Sequence, residues 1–224
     1  MLASITPPKT IAELMSRVDR IAGLTIGQIA SEHHLVVPNN LLKNKGWIGQ
    51  LIELELGATA GSKPEPDFIE LGIELKTIPI SNKGKPLETT YICVAPLTET
   101  QGLTWKKSLV FHKMQQMLWV PIEGDRKTAI ANRRIGTGFL WSPSTEEEAM
   151  LRQDWEEIME LIALGKVTNI TARHGEALQL RPKAANSRIK TESIATDGRI
   201  QFTNPRGFYL KTSFTHALLM KIFS

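Results

Sequence analysis

Pro66-Asp67 is followed, after six residues, by Glu74-Leu75-Lys76, so two carboxylates and a lysine fall within one short stretch. The second half alternates as Ile73-Glu74-Leu75-Lys76-Thr77-Ile78, the period of a β-strand. Residues two apart on a strand share a face, so Glu74 and Lys76 should point one way while Ile73 and Leu75 enter the core. Asp67, just upstream, can bend back to the same place. Two converging carboxylates are hard oxygen ligands of the kind Mg²⁺ takes, with positions left for water and a phosphate, and the Leu75 carbonyl could add another oxygen. A lysine beside such an ion can orient or help deprotonate water and offset charge growing on a phosphate. The chemistry indicated is metal-assisted hydrolysis of a phosphodiester.

An acid-x-Lys triplet is common by chance, and this chain has a second one, Asp125-Arg126-Lys127. That copy sits in a charged stretch behind Gly124 with no apolar alternation to hold it. From spacing alone, a strand carrying an outward Glu–Lys pair remains an open reading of the first copy.

The elements that must position these groups are legible from period and caps. Thr10-Ile11-Ala12-Glu13 reads as a capping box, followed by Ile11, Leu14, Met15, Val18 and Ile21 at helical spacing up to Gly23. Thr25-Ile26-Gly27-Gln28 repeats the box for a second short helix. A third helix is predicted over Trp47–Leu56, with Glu53 at the border of its buried face. A loop of small residues, Gly57 to Pro64, leads to the alternating stretch. Ser81 to Pro86 has the turn chemistry of a hairpin between that strand and a second one over Thr89–Val94. A further strand is predicted over Met117–Ile122, and a long acidic helix from Ser144 to about Leu164, ended by Gly165. That helix reads as a solvated face rather than a docking surface. A short strand near Ala177–Leu180, basic loops and a last helix from about Ser213 complete the chain. The class is α/β, a sheet covered by helices on both faces.

With 224 residues, 42% of them hydrophobic, the chain can bury a sizeable core. The single cysteine, Cys93, lies in an apolar run and reads as a buried small hydrophobe in a reducing compartment. Met1 to Pro8 shows neither a basic nor a long apolar leader segment, and no run approaches the ~18 apolar residues of a membrane span. None of the five histidines has a cysteine or histidine neighbour at zinc spacing. Charge is uneven. Residues 166–224 hold ten Lys or Arg against three acids, a net +7, while the whole chain carries +4. A basic C-terminal part is where a polyanion would be met, although a solvated basic face is equally open on charge alone.

Together these residues form a resemblance. Pro66-Asp67…Glu74-Leu75-Lys76 matches the PD-(D/E)xK motif of type II restriction endonuclease-like folds. The surrounding blocks are more specific: Lys45-Gly46-Trp47-Ile48-Gly49, Leu56 to Glu65, Gly72 to Pro79, Cys93 to Leu97, Arg181 to Asn186, and Pro205 to Lys211. They resemble the MutH family of mismatch-repair endonucleases, in family order from about residue 25 to the C-terminus.

The resemblance implies a single restriction endonuclease-like domain over 1–224. It would have a mixed central sheet flanked by helices, two sub-lobes forming a DNA-binding cleft, and a DNA-reading part over about 166–224. It implies a Mg²⁺-dependent enzyme, with Ca²⁺ or Mn²⁺ as possible substitutes, that nicks the unmethylated strand of hemimethylated GATC sites 5′ to the G. Its partners would be double-stranded DNA and MutL, with MutS acting indirectly. The enzyme would be a monomer in the bacterial cytoplasm, nucleoid-associated when active and without a membrane role.

Carried over by position, Asp67 and Glu74 become metal ligands, Lys76 the water-positioning lysine and Glu53 a further active-site carboxylate. Lys45 and Lys113 would approach the scissile phosphates. Arg181 and Lys183 would read guanine edges, Tyr209 would sense adenine methylation, and Tyr91 would lie near DNA. Two other readings share the motif: a stand-alone GATC-specific type II restriction endonuclease, and a non-catalytic DNA-binding protein of the same fold.

Overall fold

The computed structural model describes residues 5–61, 63, 65–183, 186 and 188–223. Met1–Ser4, Ser62, Pro64, Ala184, Ala185, Ser187 and Ser224, which belong to stretches read above, lie outside the described residues. In chain order the helices and strands are α1 (Ile11–Ile21), α2 (Ile26–Glu32), α3 (Trp47–Leu56), β1 (Glu74–Ile80), β2 (Thr90–Val94), α4 (Leu109–Met114), β3 (Met117–Glu123), β4 (Phe139–Trp141), α5 (Thr145–Ala163), β5 (Leu178–Pro182), β6 (Thr191–Ile194), β7 (Ile200–Thr203), β8 (Arg206–Leu210) and α6 (Thr212–Phe223). The mixed α/β class is the one expected. The chain forms two compact units, one from residues 1–87 and 115–142, the other from 88–114 and 143–224.

The first unit holds the mixed sheet, in the order β1-β3-β4. β1 runs parallel to β3 from Glu74 opposite Met117 to Ile80 opposite Glu123, and β4 is antiparallel to β3. α1, α2 and α3 bring apolar stripes to a core that includes Leu14, Val18, Ile29, Ile52, Ile73 and Leu118. Both capping predictions land on helix starts, for a local reason: the cap and the N–H it accepts are three residues apart. Thr25 and Gln28 make the full reciprocal box. At α1, Thr10 accepts from Glu13 N–H, but the Glu13 carboxylate reaches the N–H of Lys9 at 2.8 Å and the Arg17 guanidinium at 2.6 Å. Arg17 is 9% exposed and donates to the carbonyls of Thr6 and Leu56, closing the C-terminal end of α3.

The second unit is built on an antiparallel sheet in the order β2-β8-β5, with a separate β6–β7 hairpin. The turn at Ser81–Pro86 is present but is no hairpin between β1 and β2. Ser81 N–H bonds Lys85 C=O at 2.8 Å, after which β2 joins a different sheet. Turn chemistry marks a reversal; it does not choose the strand that the chain pairs with next. α5 turns Leu151, Trp155, Ile158 and Ile162 inward beside the buried carboxylate of Asp154. No described helix is long and apolar enough to cross a membrane.

Candidate active site

Asp67 is held at both its backbone and its side chain. Its carbonyl accepts from the N–H groups of Thr59 and Ala60 at 3.0 and 3.3 Å, tying it to the loop that follows α3. Phe68 and Ile73 then exchange backbone hydrogen bonds at 2.9 and 3.3 Å around the short turn Ile69–Leu71. Gly72 completes that turn at φ +66°, a conformation L side chains rarely adopt. This closed loop is what the six-residue spacer does. It returns the Asp67 side chain to β1, where Oδ2 accepts from the Leu75 N–H at 2.7 Å.

The backbone of β1 explains why Leu75 is available. Glu74 N–H donates to Gln116 C=O at 3.0 Å, toward β3. Successive residues on a strand aim their backbone groups at opposite edges, so those of Leu75 face the edge away from β3. β1 is the outer strand of its sheet, and the Leu75 carbonyl lies on the same side as the N–H that meets Asp67. Lys76 Nζ donates to Glu74 Oε1 at 2.5 Å, with side-chain exposures of 17% and 2%. The shared face of Glu74 and Lys76 is as alternation predicted. Glu74 is nevertheless as buried as Leu75, so its charge depends on close compensation rather than on solvent. The other acid-x-Lys copy folds differently: Asp125 Oδ1 accepts from the Lys127 N–H at 2.9 Å within a loop.

α3 packs against β1, placing Glu53 on a helix beside the strand. Glu53 is half-buried, with Oε1 over Gly49, but it does not join Asp67 and Glu74 in a three-carboxylate cluster. Glu55, its neighbour, is committed elsewhere, pairing with His33 Nε2 at 2.6 Å. Lys45 is exposed in the turn that leads into α3.

The remaining residues of interest belong to the second unit. Tyr91 on β2 stands opposite Tyr209 on β8, their rings edge-to-face at 5.3 Å. The Arg181 guanidinium lies 5.7 Å from the Tyr209 ring centre, and Lys183 Nζ lies 3.7 Å from that of Tyr91. Arg181 also donates to the Thr89 hydroxyl at 2.7 Å. Four positions from three distant parts of the sequence thus meet on one sheet face, with Phe208 and Leu210 buried on the other. Burial raises the Tyr209 phenol pKa above its ordinary value, opposed by the positive charge of Arg181. Lys113 is on α4, apart from Lys45 and the carboxylates in unit membership.

Sequence reading missed Asp154. It is 4% exposed, and its carboxylate accepts from the N–H groups of Glu176, Ala177 and Leu178 at 2.8, 2.7 and 2.7 Å, anchoring the start of β5. Its place on the buried stripe with Leu151, Trp155 and Ile158 was the available signal.

Comparison with known proteins bears on this arrangement. The family model described as "DNA mismatch repair enzyme MutH" matches residues 56–154, which include Asp67, Glu74 and Lys76. The chain is similar to the DNA mismatch repair protein MutH of Shewanella oneidensis, 64% identical over 222 residues, covering 99% of this chain and 100% of that protein. The MutH proteins of Shewanella sp. strain ANA-3 and Shewanella putrefaciens are 63% and 62% identical, with 98% and 99% of this chain covered, and 98% and 100% of theirs. The chain belongs to the MutH family. MutH enzymes are DNA mismatch repair endonucleases, and nuclease chemistry of this family depends on a divalent metal. The chemistry of the groups at β1 is compatible with such an ion. The Asp67 carboxylate at the Leu75 N–H and the Glu74 carboxylate on the same strand are hard oxygen groups of the kind such an ion takes.

Proposed function

We propose that this chain is a methyl-directed nickase. It hydrolyses the phosphodiester 5′ to the G of hemimethylated GATC sites, on the unmethylated strand, and is activated by MutL with mismatch-bound MutS acting upstream. The observation that carries this reading is the Asp67–Leu75 hydrogen bond beside the Lys76–Glu74 pair, which brings the acid, acid and lysine to one strand.

Asp67, Glu74 and the Leu75 carbonyl would hold Mg²⁺, with Mn²⁺ or Ca²⁺ as substitutes. When bound, Mg²⁺ supplies positive charge to the scissile phosphate and acidifies water. Lys76 orients the attacking water through its ammonium and offsets charge on the phosphate as the bond breaks. Its contact with Glu74 keeps that ammonium on the cutting edge. Glu53, beside the strand, serves as an accessory carboxylate, while Lys45 and Lys113 neutralise phosphates. Residues 166–224 carry the sequence reading. Arg181 and Lys183 donate to guanine edges, and Tyr209 meets adenine N6, where a methyl would clash. Tyr91 supports that face. The protein works as a cytoplasmic monomer, drawn to the nucleoid by its DNA substrate.

The test is cleavage of a hemimethylated GATC duplex in Mg²⁺, with oligomeric state measured by sedimentation. Nicks confined to the unmethylated strand, made by a monomer, are expected. Efficient double-strand cutting of unmethylated DNA by a homodimer would favour a restriction enzyme. Binding without cleavage would favour a non-catalytic DNA-binding protein.

A further inference from the structure

Gly207 sits in the interior of β8, opposite Arg181 on β5 and Val94 on β2. Its backbone is outside the left-handed region, so no turn geometry demands glycine there. A strand-interior glycine forgoes packing and conformational restriction, and one without special backbone geometry signals a close approach by something else. Here two aromatic rings and a backbone carbonyl make the approach. A Cβ at this position would stand 2.9 Å from Cε2 of Tyr91, 3.3 Å from Cε2 of Tyr209 and 3.1 Å from the Cys93 carbonyl oxygen. The register slips between Tyr91 and Cys93, and such a bulge re-aims the side chains of its strand.

We propose that Gly207 is a specificity-determining residue: its missing side chain is the seat on which Tyr91 and Tyr209 meet, and Tyr91 positions the Tyr209 ring. This inference rests on the reading of Tyr209 as the sensor of adenine methylation. Distinguishing a methyl from a hydrogen requires the reading group at a fixed height above the sheet. Three features set that height: the space left by Gly207 below, the Tyr91 ring beside it, and the Arg181 guanidinium over the ring. Filling the seat moves Tyr91 first, because its ring is the nearer, and Tyr209 with it.

The experiment measures the ratio of kcat/KM on unmethylated and methylated GATC strands for Gly207→Ala, Tyr91→Leu and the double variant, with Tyr209→Leu as control. Each single change is expected to lower the ratio about tenfold through misplacement of the Tyr209 ring. The double variant should lose clearly less than the product of the two single losses, because both changes act on the Tyr91–Tyr209 contact. A folded Gly207→Ala with the wild-type ratio, or losses that simply add, would overturn the seat. Should Gly207→Ala not fold, an unchanged ratio in Tyr91→Leu would overturn it equally. If Tyr209→Leu keeps the full ratio, the methylation-sensor reading fails. If only Tyr209→Leu loses it, the sensor stands and the seat fails.

Discussion

The Leu75 N–H donates to Oδ2 of Asp67 across 2.7 Å, so the upstream acid is bonded to the very residue that separates Glu74 from Lys76. That bond brings Asp67 to the strand that carries Glu74 and Lys76. It also fixes which substitutions are informative, because some preserve its geometry while removing charge.

Asp67→Asn keeps an oxygen for the Leu75 N–H and removes the negative charge. Cleavage in Mg²⁺ should fall by about a thousandfold or more, as expected when the principal charge in a preorganised site is lost. DNA affinity measured in Ca²⁺ should change little. Wild-type cleavage by this variant would remove Asp67 from the site.

Lys76→Gln leaves the Glu74 carboxylate, 2% exposed, without its 2.5 Å cationic partner. Loss of one member of a largely buried pair should cost about 2 kcal/mol, a discount on the fully buried case because the lysine is partly exposed. If Glu74 holds a cation, added Mg²⁺ should raise the melting temperature of this variant more than that of the wild type. Equal shifts in the two proteins would count against Glu74 as a ligand.

Lys45→Ala and Lys113→Ala should weaken binding uniformly across DNA sequences. Each should reduce the slope of log affinity against log salt by about 1, the signature of one lost phosphate contact. A change in sequence preference with an unchanged slope would contradict the phosphate assignment.

Burial raises the Tyr209 pKa above its ordinary 10.0. The unfolded chain then loses this proton at lower pH than the folded protein. The stability Tyr209 contributes is therefore complete below the unfolded pKa and is lost as pH rises through the higher folded value. Tyr209→Phe should remove that component of the alkaline stability slope, measured by denaturant titration, and leave the slope at neutral pH unchanged. An alkaline slope identical to wild type would place the phenol in an ordinary solvated setting.

Asp154→Ala strands the three N–H groups that open β5, at a cost of about 3 kcal/mol. The urea midpoint should fall with the m-value unchanged. Arg181 lies downstream on the same strand, so sequence discrimination should relax as well.

The helix starts at Thr10, Thr25 and Ser144 were legible because caps and periods are local: the partner of each group lies within a turn. That Glu74-Leu75-Lys76 lies on a strand and Asp125-Arg126-Lys127 in a loop was legible for the same reason, since one copy alternates and the other does not. The β6–β7 hairpin was missed. Its exposed Ile200 and Phe202 and inward Ser193 and Thr203 invert the usual apolar-in pattern on which strand reading depends.

The sequence by itself determined the residue types and spacing of the acid, acid, lysine pattern, the strand that carries it, the principal helices and the basic bias of the C-terminal part. Tertiary structure alone decided that β1 pairs in parallel with β3, that β2 joins β8, and that Asp67 lands on the Leu75 N–H. It also decided that Asp154 is buried against three amides and that Tyr91 meets Tyr209 above Gly207. Periodicity states which way a side chain faces but not what stands opposite. Partners distant in sequence are selected by packing of the whole core, which no local window contains.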